Sequence, residues 1–269
     1  MDVERYLERL SIEALPHPDL AGLTLLQHHH MLEIPFENLD VLLGRPIILD
    51  ENRLYEKIVS DRRGGFCYEL NGMFAGLLRR LGFGVQQLSA GVYHPEQEVF
   101  GPEYDHMALL VSLEASQGNW SEQYLVDVGF GDSFLAPIPF SKGIGKDPSG
   151  DYRLRRLRGS EGQFVLERRR AENWIPQYRF NLQPQELAAF EKRCHFHQTS
   201  PASSFTQKAL VTRVSPQGRV SLTRNHLTLS LSGNSKKKTP VHDVQEFERL
   251  LKRYFGFDFQ ESEIRAIYR

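Results

Sequence analysis

The sequence predicts an α+β protein: a helical bundle first, then an antiparallel sheet curled into a small barrel, then a mixed C-terminal unit. Three observations carry that prediction. Apolar residues recur at helical spacing up to about Gly84; beyond it the chain switches to short β-rich runs parted by turn signals. No helical pattern intervenes between the successive runs, which disfavours a doubly wound parallel sheet and favours a barrel or curled sheet.

Val3, Tyr6, Leu7 and Leu10 form the first helical face, and Pro16 with Pro18 ends it. Leu20, Leu23, Leu26 and the stretch through Met31 predict a second helix, which runs until Pro35, and Asp50 caps a third through Ile58. From Cys67, one apolar face of Leu70, Phe74, Leu77, Leu78 and Leu81 predicts a fourth helix, stopped by Gly82 and Gly84. Strands are expected at Val85 to Tyr93, Met107 to Leu113, Gln123 to Val128, Tyr152 to Arg158 and Phe164 to Arg169, with turns at Gln117-Gly118-Asn119 and Asp147-Pro148-Ser149-Gly150. Pro184 to Arg193 reads as a connecting helix. Strands resume at Ala209 to Val214, Arg219 to Thr223 and Leu227 to Leu231, and Ser232 to Lys238 reads as a mobile-looking loop, a solvated turn with a phosphate contact as the alternative. Asp243 with Glu246 resembles a capping box for a final helix that buries Val244, Phe247, Leu250, Leu251 and Tyr254.

Composition narrows the function classes. The 269 residues are 40% hydrophobic and 25% charged, the balance of a globular chain and not of a disordered or fibrous one. With 33 basic and 34 acidic side chains the net charge is −1, so no electrostatic footprint for nucleic acid is present. No apolar run approaches the roughly 20 residues needed to cross a bilayer. Met1-Asp2-Val3-Glu4-Arg5 lacks a signal peptide's apolar stretch, so a cytoplasmic protein without membrane partners is expected. Only Cys67 and Cys194 carry thiols, and nothing argues for pairing them.

Cys67 stands where Arg63-Gly64-Gly65-Phe66 meets the start of an apolar-faced helix. Unpaired N–H groups and the positive end of the helix dipole favour a thiolate there and could stabilise an oxyanion; the alternative is a cysteine that only fills space. A cysteine nucleophile needs a base, and the base needs an orienting partner. His106 stands at the mouth of one strand and Asp127 closes the next, 21 residues later, so antiparallel pairing of those strands brings the two together.

Arg63-Gly64-Gly65-Phe66-Cys67-Tyr68-Glu69-Leu70-Asn71 resembles the signature of the arylamine N-acetyltransferase family. Three further segments are similar to that family in the same order: Ile34-Pro35-Phe36-Glu37-Asn38-Leu39-Asp40, Val126-Asp127-Val128-Gly129-Phe130-Gly131 and Thr199-Ser200-Pro201-Ala202-Ser203-Ser204-Phe205. The resemblance implies three modules with a cysteine-protease-like core: a helical bundle bearing Cys67 (1–84), a β-barrel bearing His106 and Asp127 (85–183), and a connecting helix with an α/β lid (184–269). It implies a Cys-His-Asp triad that takes an acetyl group from acetyl-CoA, the co-substrate. The group then passes to an arylamine, arylhydroxylamine or hydrazine, a xenobiotic-processing reaction. It further implies that Phe36, Phe130 and Phe205 line the acceptor pocket and that Ser203 and Ser204 contact coenzyme A. Gly101-Pro102-Glu103-Tyr104-Asp105 departs from the family pattern, with acids that would repel a phosphate.

No metal is expected. Consecutive His28-His29-His30 point in different directions on a helix, and Cys194-His195-Phe196-His197 lacks a second ligand pair. Arg155-Arg156-Leu157-Arg158 and Arg168-Arg169-Arg170 read as a solvated barrel face. Two rival functions fit the same residues: a thiol hydrolase that passes the acyl group to water, and a non-catalytic scaffold with an unreactive Cys67.

Overall fold

The computed structural model describes residues 1–114, 120–140, 143–157, 159, 162–231 and 235–269. Helix α1 (Val3–Arg9) starts on Asp2, whose carboxylate accepts the Arg5 N–H at 3.0 Å. Helix α2 (Leu20–Glu33) is capped by Asp19, which accepts from Gly22 at 2.8 Å. It stops at Ile34 because the residue before a proline is driven out of the helical region. Strand β1 (Phe36–Glu37) and the one-turn α3 (Leu39–Leu42) follow, both missed by periodicity because each spans only about one repeat, too short for a period to show. Helix α4 (Glu51–Tyr55) starts on Asp50, as expected, and runs into a π-helical turn, Glu56–Ser60.

Helix α5 (Cys67–Arg80) departs from the amphipathic expectation. Every residue from Cys67 to Leu78 is buried, including the polar Glu69 and Asn71. A buried polar side chain is costly unless partnered, so these two residues must be tied to something specific.

The central unit comprises β2 (Gly84–His94), β3 (Val99–Phe100), β4 (His106–Glu114), β5 (Trp120–Val126), β6 (Ile138–Pro139), β7 (Gly145–Asp147), β8 (Gly150–Arg156), β9 (Gln163–Arg170) and β10 (Asn173–Gln185). The order is β6-β5-β4-β2-β10-β9-β8-β7, all antiparallel. Gly145 on β7 lies against Ile138 on β6, so the two edges meet and the sheet nearly closes. Strand β4 shows why it is apolar throughout: Met107, Leu109, Val111 and Leu113 join the helical core with Leu70, Phe74 and Leu77, while Ala108 and Leu110 enter the barrel core with Leu88 and Leu166.

Strand β10 corrects the expected connecting helix. It continues through Pro184 to Gln185, and the helical segment begins later, as a 3₁₀ turn Leu187–Phe190 and helix α6 (Glu191–Thr199). Pro176 and Pro184 hid the strand, and the ladder shifts register beside each of them, which is where a residue without an N–H is tolerated. The solvated arginine face is also corrected. Arg169 and Arg170 are exposed, but Arg168 turns inward and is 5% exposed, while Arg155 pairs with Glu167 at 2.9 Å. Arg158 and the Gln117-Gly118-Asn119 turn lie outside the described residues.

In the C-terminal unit β1 joins β11 (Leu210–Ser215), β12 (Gly218–Thr223), β13 (His226–Leu231) and β14 (Lys236–Pro240) in that order. Helices α7 (Val244–Phe255) and α8 (Glu261–Tyr268) supply Phe247, Leu251 and Ile264 to a core shared with Val211 and Leu222. Asp243 caps α7 through the Glu246 N–H at 2.7 Å. Two expectations fall here. Lys236–Pro240 is a strand paired with β13, not a loop, and α8 follows the helix expected to be last. Ser232-Gly233-Asn234 lie outside the described residues.

A buried ion network binds the first and third units around the glycine segment. Arg63 Nη2 reaches Glu37 at 2.6 Å and Asp40 at 3.1 Å, with its guanidinium over the Phe259 ring at 4.7 Å. Lys57 on the π turn reaches Glu69 at 2.7 Å and Asp40 at 2.8 Å. Burial opposes the Lys57 ammonium, but Glu69, Glu37 and Asp40 overcome it and hold its pKa above the ordinary lysine value. Arg63→Met removes the hydrogen-bonded cation from Glu37, whose side chain has no exposed surface and keeps only Lys57 at 4.0 Å and the Leu39 N–H at 2.7 Å. It should cost about 3–5 kcal/mol, lowering Tm by roughly 10 °C in scanning calorimetry; an unchanged Tm would remove this network from the account of stability.

Candidate active site

Two glycines place Cys67. A Cβ on Gly64 would sit 2.0 Å from the Pro35 carbonyl oxygen, and one on Gly65 would sit 2.7 Å from Glu69 Oε2. The requirement is close approach, since neither glycine has a positive φ. Glu69 folds back one turn, and its Oε2 accepts the Phe66 N–H at 3.0 Å while Oε1 holds Lys57. Cys67 is then the first residue of α5, a free thiol 5% exposed.

At this helix start, which favours a thiolate, burial acts the other way. Burial pushes the Cys67 thiol up, a backbone hydrogen bond with Met107 pulls it down, and Cys194, Asp105 and Asp127 push it up again. A buried thiolate therefore needs a proton acceptor whose own positive charge compensates it. The residue before Met107 is His106.

The antiparallel register of β4 and β5, with Leu109 opposite Val126, carries His106 and Asp127 to the same end of the sheet. His106 Nε2 lies 2.8 Å from Asp127 Oδ2, with His106 2% exposed and Asp127 fully buried. Nε2–H donates to the carboxylate, which leaves the lone pair on Nδ1. The other oxygen, Asp127 Oδ1, accepts from Asn71 Nδ2 at 2.9 Å and from the Gly129 N–H at 2.9 Å. Asn71 also donates to the Met107 carbonyl at 2.6 Å and accepts the Val128 N–H at 3.0 Å. One side chain thus clamps the strand bearing the histidine to the loop bearing the acid, and it does so from one turn along the helix that begins with Cys67. Sequence reasoning quoted Asn71 only as part of a motif; the available signal was a polar residue four positions from the cysteine on a helix with an apolar face.

Gly129 lets the acid segment lie on the nucleophile, for a Cβ there would be 2.8 Å from Cys67 Cα and 2.7 Å from Asn71 Nδ2. Phe130 stands edge-on to the His106 ring, centroids 5.1 Å apart, and Tyr178 packs on the same ring at 5.0 Å. Gly131, at φ +84, turns the chain against the Phe36 ring. Phe36 lies 6.1 Å from Phe205, which is edge-on to Phe66, the residue before Cys67, at 5.7 Å. Asn38 fixes the Phe205 segment by donating to the Phe205 and Lys208 carbonyls at 2.8 and 2.9 Å.

The two serines differ. Ser204 is exposed, whereas Ser203 is 2% exposed and its hydroxyl is engaged with His197 Nδ1 at 3.2 Å and the Phe205 N–H at 3.3 Å. Asp105 is not a free repelling charge, because Arg193 Nη2 pairs with it at 2.5 Å and His197 Nε2 lies 3.1 Å from the same oxygen. Those partners overcome burial and hold its carboxyl below the usual range. Tyr68 Oη donates to the Tyr104 carbonyl at 2.7 Å and steadies the approach to His106. His29 Nδ1 lies 2.8 Å from the Leu10 carbonyl and His30 Nε2 lies 3.2 Å from Tyr6 Oη.

Residues 19–264 match a family model described as N-acetyltransferase. An arylamine N-acetyltransferase / N-hydroxyarylamine O-acetyltransferase of Salmonella typhimurium is 36% identical over 97% of this chain and 93% of its own length. A solved structure of the Salmonella typhimurium enzyme superposes with a TM-score of 0.88 over 99% of this chain and 97% of that one. The Mycobacterium marinum arylamine N-acetyltransferase in complex with CoA also gives 0.88, at 28% identity over 99% and 98% of the two chains. A Bacillus cereus arylamine N-acetyltransferase, described as having a unique Cys-His-Glu catalytic triad, gives 0.85 at 29% identity over 96% and 100%.

Proposed function

Because the chain belongs to the arylamine N-acetyltransferase family, we propose that Cys67, His106 and Asp127 transfer an acetyl group from acetyl-CoA to an arylamine, arylhydroxylamine or hydrazine. The observation that carries the assignment of residues is the His106–Asp127 pair at 2.8 Å, clamped by Asn71 from the helix that starts with Cys67. His106 Nδ1 takes the thiol proton as Sγ attacks the acetyl carbonyl. The tetrahedral adduct collapses, the C–S bond to coenzyme A breaks, and the imidazolium returns the proton to the departing thiolate. Donor and acyl-enzyme are both thioesters, so the acetyl group keeps its transfer potential. The amine then attacks the Cys67 thioester, His106 accepts its proton, and that proton returns to Sγ as the amide leaves.

Phe36, Phe130 and Phe205 serve this reading as the walls against which a flat arylamine stacks, supported by their rings lying beside Phe66 and His106. Of the two serines, Ser204 is the exposed one, which supports it as the contact to coenzyme A. The boundary at 84 is supported by the change from α5 to β2, whereas 183 falls inside β10, and the first apolar core also takes in Met107, Phe190 and Val214. Intact-protein mass spectrometry tests the function. Acetyl-CoA should add one acetyl group to Cys67 that persists in buffer and disappears when aniline is supplied, with acetanilide formed in its place. Decay in buffer alone would favour a hydrolase, and no adduct at all would favour a scaffold.

A further inference from the structure

A cleft of about 400 Å³ opens between the barrel and the C-terminal sheet, lined by Arg168 and Arg170 of β9, Arg219 of β12, Lys236 of β14, Asp132 and Ser149. Its charges do not balance. Asp132 alone answers three guanidiniums: Arg168 Nη1 at 3.1 Å, Arg170 Nη2 at 3.5 Å and Arg219 Nε at 3.4 Å. The neighbouring carboxylate, Asp147, is turned away, accepting the N–H groups of Leu135 and Ala136 and the Ser149 hydroxyl. Arg168 is 5% exposed and Arg219 has a side chain 12% exposed, so neither charge is left to water. Arg168 Nε is also buried and has no hydrogen-bond partner among the described residues. One carboxylate among three guanidiniums leaves the cleft with an excess of positive charge, the composition of a site that awaits an anion.

We propose that this cleft seats phosphate groups of the acyl donor. The inference rests on the acetyl-transfer reading and adds to it where the donor's charge is held. Guanidinium forks match phosphate oxygens two at a time, and several such forks around one cleft suit a multiply charged group better than a single carboxylate. The donor's pantetheine arm separates its phosphates from the thioester, so their site must lie away from Cys67 yet be joined to the catalytic segment. Arg219 makes that junction, since its guanidinium donates to the Gly131 carbonyl, one residue from the Phe130 ring that stands on His106. The Ser203 hydroxyl, engaged within the chain, is no competitor for this role.

Arg170→Glu and Lys236→Glu change side chains at the exposed rim, not the buried Arg168. Each should raise KM for acetyl-CoA about tenfold, the loss of one charge-assisted contact, while kcat/KM with the phosphate-free donor S-acetyl-N-acetylcysteamine changes less than twofold. An equal loss with both donors, or no change with acetyl-CoA, would overturn the proposal. So would a rise confined to KM for p-aminobenzoate and absent for aniline, which would give the cleft to an anionic acceptor. Failure of both donors to acylate Cys67 in the unmodified protein would instead sink the acetyl-transfer reading, so the two failures are distinguishable.

Discussion

Asp127→Asn should lower kcat/KM for acetyl transfer by about 10³–10⁴-fold while leaving the fold intact. The surrounding donors dictate how the new amide must sit. The position of Oδ1 receives both Asn71 Nδ2–H and the Gly129 N–H, so an oxygen must remain there and the amide NH₂ must face His106. Facing a donor, His106 Nε2 must accept, its proton moves to Nδ1, and the nitrogen meant to take the thiol proton is already occupied. The substitution is nearly isosteric and breaks neither of the two bonds to Oδ1, so Tm should fall by only a few degrees. Steady-state kinetics with aniline, beside a calorimetric scan, separates the two effects. Turnover near that of the unmodified protein would take Asp127 out of the mechanism, and a collapse of Tm would make it a structural residue.

How much of this was legible in the sequence follows from which signals are local. Helix α5 was legible because Leu70, Phe74 and Leu77 repeat at helical spacing, and β4 because an apolar run preceded by a histidine reads as a strand buried on both faces. The triad was legible only as a conjunction, since a hairpin-like pairing was needed to carry His106 to Asp127. Asn71 was not recognised as a clamp, because its partners come from two other elements and a polar residue on a helix gives no sign of its own burial. Arg168 was misplaced for the opposite reason: three arginines in a row look solvated, and only the fold brings Asp132 and Arg219 to the middle one. Strand β14 was read as a loop because three lysines and a proline lack β-propensity, yet those residues suit an edge strand that must not recruit another chain.

His106→Ala tests which force ionises the sulfur. Burial pushes the Cys67 thiol up, and its position at the start of α5 with the Met107 backbone hydrogen bond pushes it down. In the intact site a proton leaving Sγ can pass to His106, so the buried thiolate gains a buried cation and the burial cost falls on a pair. Without the imidazole the thiolate has no such partner, and the upward push of burial wins. The thiol must then stay protonated through neutrality and ionise only at alkaline pH. Iodoacetamide labelling of Cys67 at pH 7 should therefore drop by an order of magnitude or more, and recover as pH rises. Acetyl transfer should fall further than labelling, because the variant loses its base as well as its thiolate. Cys194 provides the internal reference: burial pushes that thiol up to about 12, so it stays unlabelled at pH 7 unless the chain has opened. Labelling of Cys67 that kept the unmodified protein's pH profile would mean that the helix start suffices to ionise the sulfur, and the imidazole would be left with proton transfer from the amine alone.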